Sequence, residues 1–284
     1  MLLFDFNICY LAGRAVLAGQ SPYSIVGFIS PYPLAVLFAL IAWLPEPVAY
    51  GVYLAGCLAL LWKVVGRRSI WALLSFPVLF NLFVGQMDLP LGLLGAWLGP
   101  WSLPLMLVKP QVGFVVLPWA VRHTRWRQLV WPCVVAAAFL ALCFVLRPTW
   151  LAEWLAFVPA VTDYARHDSN LYWLVPNGLK TIALVVGILV ALPVGFLLRE
   201  RRDSWIALHL FAPLTNIYSA SVLAEWIGPL EVILSWLAIF VVGTIHSGAP
   251  LFVVALSILL RRAVVDWRTR RRARQIAPPA STVG

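Results

Sequence analysis

Residues 5–33 read DFNICYLAGRAVLAGQSPYSIVGFISPYP, and the architecture of everything downstream follows from how this stretch is read. It contains the only carboxylate before Glu46, an amphipathic run, two turn signals and a proline-rich entry into the first long apolar segment. Between Asn7 and Ala18, the polar residues Asn7, Tyr10 and Arg14 recur at helical spacing, while Ile8, Leu11, Ala15 and Ala18 fill much of another face. That pattern predicts an interfacial helix lying along a membrane surface rather than crossing it. Gly19 ends the helix, Ser21-Pro22-Tyr23 turns the chain, and Pro31-Tyr32-Pro33 starts a descent into lipid. Residues 1–32 are therefore expected to form an external loop with an interfacial helix, and residues 33–260 a transmembrane helical domain. Residues 261–284 are expected to form a basic cytoplasmic tail that is disordered, beyond Arg274 above all.

The composition points the same way. In 284 residues, 62% are hydrophobic and only 11% charged, and a mean hydropathy of +0.90 lies outside the range of soluble domains. The expected fold class is all-α, a polytopic transmembrane helix bundle with roughly 8 to 10 membrane segments, several shorter than the ~20 residues of a full span. Many of the 15 tryptophans stand at the ends of apolar runs, as in an aromatic belt. A net charge of +10 reads as an orientation signal rather than a nucleic-acid footprint, because the basic residues gather in short loops and the tail. The four cysteines show no CxxC spacing, so neither a disulfide framework nor a metal site is expected.

The basic clusters Arg122/Arg125/Arg127, Arg199/Arg201/Arg202 and Arg261 to Arg274 are expected to be cytoplasmic. One helix out and one back then leave Arg147 to Asn170 on the far side. Counting back from Arg122 through five segments puts Asp5 on that side too, together with Arg67 and Arg68, against the rule. A re-entrant Leu89 to Leu98 restores that pair but moves Asp5, unless a second segment is also re-entrant. The expected localisation is the cell membrane, multi-pass, with an extracytoplasmic active face.

Polar residues inside apolar runs are costly and mark candidate sites. Gln86 and Asp88 sit between two such runs, and Lys109-Pro110 interrupts the run from Trp101 to Val121. A lysine there must snorkel, lose its proton or face an anion, and Pro110 opens the local backbone. The far-side loop offers Asp163, Arg166, His167 and Asp168, which suit a sugar, a phosphate or a metal as well as plain solvation. Pro213 to Ser219, with Thr215 and Asn216, breaks a later apolar segment, with His209 and Glu225 beside it. No phosphate-binding glycine loop, HExxH, GxSxG or DxD pair is present.

Asp5, Tyr10 and Arg14, followed by Gly19-Gln20-Ser21-Pro22-Tyr23 and Tyr32-Pro33-Leu34, resemble the first external loop of glycosyltransferase family 87. Gly85-Gln86-Met87-Asp88 is similar to its G-Q-x-N motif, Leu107-Val108-Lys109-Pro110 to its K-P element, and Pro213 to Ser219 to a later S-P-x-S-W element. Pro33-Leu34 stands where the family has a double proline, and Asp88 where it has Asn. Only four residues precede Asp5, where family members carry a transmembrane helix, so that first helix is expected to be missing.

The resemblance implies a GT-C-like, membrane-embedded hexosyltransferase. It would take mannose or another hexose from a polyprenyl-phosphate donor to a glycolipid or cell-envelope glycan acceptor, with inversion, no cofactor, no metal and no nucleic-acid partner. Asp5 then matches the general base, and Arg14 and Lys109 the donor phosphate-binding cations. Tyr10, Tyr23, Gln86, Asp88, His167 and Asn216 become candidates for sugar or acceptor binding. The rival expectations are an inactive or truncated accessory member of the same family, which binds lipid or a partner, and a lipid or small-solute transporter.

Overall fold

Proline decides where many of the helices begin. Pro33, Pro47, Pro77, Pro104 and Pro110 each occupy the first or second position of a helix, where a missing N–H sacrifices no hydrogen bond. The computed structural model describes residues 4–156, 175–211, 219–242 and 252–276, and these are helical with no strand among them. The first half comprises α1 (Phe4–Leu17), α2 (Tyr32–Ala39), α3 (Glu46–Val65), α4 (Ser69–Leu74), α5 (Phe76–Val84), α6 (Asp88–Leu98), α7 (Leu103–Met106), α8 (Pro110–Arg122) and α9 (Trp126–Leu146). After it come α10 (Lys180–Leu197), α11 (Arg201–Phe211), a 3-10 segment Ser219–Trp226, α12 (Pro229–Val242) and α13 (Phe252–Ile276).

Among the described residues, three stretches are long and apolar enough to cross a membrane: Glu46–Leu74, Asp88–Met106 and Trp126–Leu146. The apolar helices Val185–Leu197 and Pro229–Phe240 are shorter. Two apolar runs are each divided, the second at the interruption that Lys109-Pro110 marks in the sequence. Ile70 to Val84 breaks at the extended residue Ser75, and Trp101 to Val121 breaks at Lys109, whose φ of −146° and ψ of 85° are not helical. Pro77 and Pro110 lack the N–H needed to continue a preceding helix, so a new one starts at each.

The first helix differs from its expected role. Phe6, Tyr10, Ala12, Gly13 and Ala15 are its buried residues, while Leu11 is exposed. Tyr10 does not face water: its ring stacks on Phe6, and its hydroxyl donates to the Leu44 carbonyl at 2.8 Å. Gly13 permits the inward position, because a Cβ there would lie 2.8 Å from the backbone of Phe38 and Ala39 in α2. Phe6 also packs against Phe38, Tyr50 and Tyr53, with ring centroids 5.2–5.7 Å away. Helix α1 thus packs its Phe6, Tyr10 and Ala12 face into the core of the bundle and leaves Phe4, Leu11, Arg14 and Leu17 exposed.

One end of the molecule is basic. The Trp119 indole donates to the Arg199 carbonyl at 3.0 Å and Arg122 donates to the Phe196 carbonyl, joining the loop after α8 to the loop after α10. Arg262 of α13 pairs with Asp203 of α11 beside them. All three basic clusters therefore share one end. The basic part of the tail is helical, with α13 running to Ile276, and residues 277–284 of the expected disordered segment lie outside the described residues. Arg and Ala favour helix, Arg262 and Asp266 form an i,i+4 pair, and no proline intervenes before Pro278.

Candidate active site

The site begins where α5 ends. Gly85 closes that helix in the left-handed region at φ 77°, and a Cβ on it would lie 2.3 Å from the Phe6 Cβ. Only glycine suits both the turn and the close approach of α1. The turn delivers Gln86 and then Asp88, which opens α6. The break between α7 and α8 delivers Lys109 to the same place.

Lys109 Nζ donates to Gln86 Oε1 at 2.7 Å and to the Asp88 carboxylate, and these two charged side chains are only 11% and 3% exposed. The Gln86 side chain also hydrogen-bonds Asp5 at the start of α1. From α3, the Tyr53 hydroxyl donates to the Gln86 backbone carbonyl and supports the irregular turn. Non-helical backbone buried among apolar helices needs such partners, because each unpaired polar group there carries a free-energy cost. Four residues spread over a hundred positions of sequence thus form one connected polar cluster.

Burial raises the Asp5 carboxyl above its ordinary value; the Gln86 hydrogen bond and the Lys109 ammonium oppose that rise, and the Asp88 charge adds to it. Such a carboxylate holds a proton more readily than a solvated one. Asp88 instead has the ammonium in direct contact and fixes its position. His209 of α11, 2% exposed, lies within electrostatic range of Asp88.

Next to the cluster is an apolar groove of about 960 Å³, running between α7, α8, α9 and α10. Leu107 and Pro110, on either side of Lys109, line it together with Leu103, Phe114 and Phe196. Trp150 and Trp154 line it as well. Beside Trp154, Glu153 accepts from Arg147 at 2.8 Å and from Ser21 at 2.8 Å, and the Trp154 indole donates to the Ile29 carbonyl at 3.0 Å. Burial alone would raise Glu153, but Arg147 and the Thr149 and Ser21 hydroxyls outweigh it and hold the carboxyl below its usual range. This latch ties the loop after α1 to the segment after α9.

The remaining candidates are placed elsewhere. Arg14, expected beside Lys109, lies nine residues from Asp5 on α1, roughly 13 Å along the axis, and lines a separate pocket with Trp43. Tyr10 is occupied with Leu44, and Tyr23 packs against Phe28 near the Glu153 latch. His167 and Asn216 lie outside the described residues. Three residues near the cluster were not selected as site candidates from sequence: Tyr53, His209 and Asn81. Asn81 is fully buried in α5, and its side-chain amide has no partner among the described residues. A polar residue inside the apolar run Ile70 to Val84 was the available signal for it. Among the described residues, no group of three or more His, Cys, Asp or Glu is arranged to hold a metal.

No protein-family model, curated protein or solved structure matches this chain at a significant level.

Proposed function

We propose that the chain is an integral-membrane hexosyltransferase that uses a polyprenyl-phosphate-linked sugar, mannose or another hexose, and a glycolipid or cell-envelope glycan acceptor. The observation that carries this reading is the buried Asp5–Gln86–Lys109–Asp88 cluster beside a large apolar groove. A water-soluble sugar donor has no use for such a groove, whereas a lipid-linked donor needs an apolar channel for its chain and a cation for its phosphate.

In this mechanism Asp5 takes the proton from the acceptor hydroxyl while that oxygen attacks the anomeric carbon. The bond from that carbon to the phosphate oxygen breaks on the opposite face, its electron pair leaves with the lipid phosphate, and the configuration inverts. Lys109 stands where negative charge grows on the leaving phosphate, and a cation already in position lowers that barrier. Asp88 and Gln86 hold the ammonium, and Gln86 links it to the base. The basic end of the molecule, following the positive-inside rule, is assigned to the cytoplasm. The Glu153 latch and the external loop then face outward.

The test is transfer of labelled mannose from polyprenyl phosphate mannose to membrane lipid by the full chain, beside Asp5→Asn at equal abundance. Asp5→Asn is expected to lower transfer by roughly 10²- to 10⁴-fold, the range of a lost general base. Equal transfer by both proteins would remove Asp5 from the chemistry. Transfer by neither would favour the accessory reading, in which the groove binds lipid without turnover.

A further inference from the structure

A second pocket, of about 480 Å³, lies at the other end of α1 from Asp5, between the last turn of that helix and the α2–α3 connection. Its floor is Tyr10 and Ala42, both buried, and Arg14 faces into it. The two neutral donors nearby are already engaged. The Tyr10 hydroxyl donates to the Leu44 carbonyl and the Trp43 indole to the Leu40 carbonyl, each at 2.8 Å. Among the described residues, the guanidinium is the only charged group lining the pocket. Glu46, one residue beyond its Pro45 wall, makes no ion pair with Arg14 among the described residues.

The rim is apolar and uncovered. Leu17 is 56% exposed, Trp43 71%, and Leu40, adjoining the pocket, 69%. A site for a free anion has no need of that rim, and a site for an acyl chain has no need of the cation. Together they fit an amphiphile whose phosphate meets a guanidinium, which binds phosphate oxygens in a bidentate fork. The glycerol and first methylenes of its tail then lie on Trp43 and the two leucines, as residues of an aromatic belt lie at the headgroup level. We infer that Arg14 and Trp43 form a binding site for the phosphate headgroup of an anionic membrane phospholipid, separate from the Asp5 cluster.

Arg14 provides its own reporter, since phenylglyoxal modifies accessible arginines and the modified peptide is read by mass spectrometry. The full chain is placed in nanodiscs of phosphatidylcholine alone or with 30% phosphatidylglycerol, and the rate at Arg14 is compared with that at exposed Arg127 in the same sample. Phosphatidylglycerol is expected to slow Arg14 at least five-fold relative to Arg127. Trp43→Ala, which removes a side chain outside the core, is expected to abolish most of that protection. Equal slowing at Arg14 and Arg127, or protection unchanged in Trp43→Ala, would overturn the inference. Protection in phosphatidylcholine discs by inorganic phosphate alone, matching that by phosphatidylglycerol, would also overturn it, because the occupant would then be a free anion.

Discussion

Lys109 and Asp88 show what a single buried pair does in this protein. Removing the ammonium strands a carboxylate that is almost wholly out of water, so Lys109→Gln is expected to destabilise the protein by about 3–5 kcal/mol. Lys109→Gln with Asp88→Asn removes both charges and is expected to recover much of that loss, read by thermal unfolding of the detergent-solubilised protein, without recovering transfer. The pH profile gives an independent check. Asp5 must be ionised to accept a proton, and its carboxyl is raised by burial. Transfer should therefore fall on the acid side with a midpoint above the ordinary aspartate value of about 3.9. Lys109 opposes the rise and Asp88 adds to it. Any residual transfer in Lys109→Gln should accordingly have its acid limb at higher pH, and Asp88→Asn at lower pH. A raised carboxyl favours folding in its protonated form, so that contribution is lost as pH rises through the folded value. Asp5→Asn should therefore be inactive yet no less heat-stable at neutral pH.

At the level of elements, two glycines control how α1 enters the core. Gly13→Ala places a methyl 2.8 Å from the α2 backbone, and an overpacked contact of this kind costs about 1–3 kcal/mol. Gly85→Ala combines a positive φ with a collision against Phe6, so it is expected to impair both stability and transfer. Residue patterning alone misplaces Tyr10 on this helix. Tyr10 counts as polar in a periodicity, yet its ring is one of the better-packed side chains in the bundle and its hydroxyl finds a backbone acceptor. The motif residues were legible for a different reason. Gln86, Asp88 and Lys109 interrupt apolar runs, and a polar group in such a run carries a free-energy cost that only a partner offsets. Arg14 stood close to Asp5 in sequence, but helical rise separates them. Along the same lines, Glu153→Gln weakens the tie to Arg147 and Ser21 and is expected to speed proteolysis within residues 18–31. The depressed Glu153 carboxyl contributes stability above the ordinary glutamate value, and that contribution is lost as pH falls through the folded value.

Across the whole molecule, the gathering of the three arginine clusters at one end makes a topology prediction. In a background whose native cysteines are replaced, single cysteines at Thr124 and Glu200 should react with an impermeant maleimide from the same side. A cysteine at Ser24 should react from the other. Labelling of Thr124 and Glu200 from opposite sides would contradict the bundle described here. Cysteine chemistry in the native chain should follow burial: Cys57 and Cys143 are enclosed, whereas Cys133 is exposed on α9.

By itself, the sequence determined the helical class and the presence of apolar helices long enough for a membrane, because both follow from composition and from proline and glycine placement. It also singled out Gln86, Asp88 and Lys109, because a polar group among apolar neighbours stands out without any knowledge of the fold, while Asp5 was marked as the only carboxylate before Glu46 and by the family resemblance. The tertiary structure alone decided that these four meet and that Arg14 stays apart. It also decided that α1 packs one face into the core and that the basic tail continues a helix. Each of those outcomes depends on which helix faces approach one another, and that is set by close contacts such as Gly13 against α2 and Gly85 against Phe6. One-dimensional patterning cannot encode them, since in an apolar environment most helix faces are equally hydrophobic.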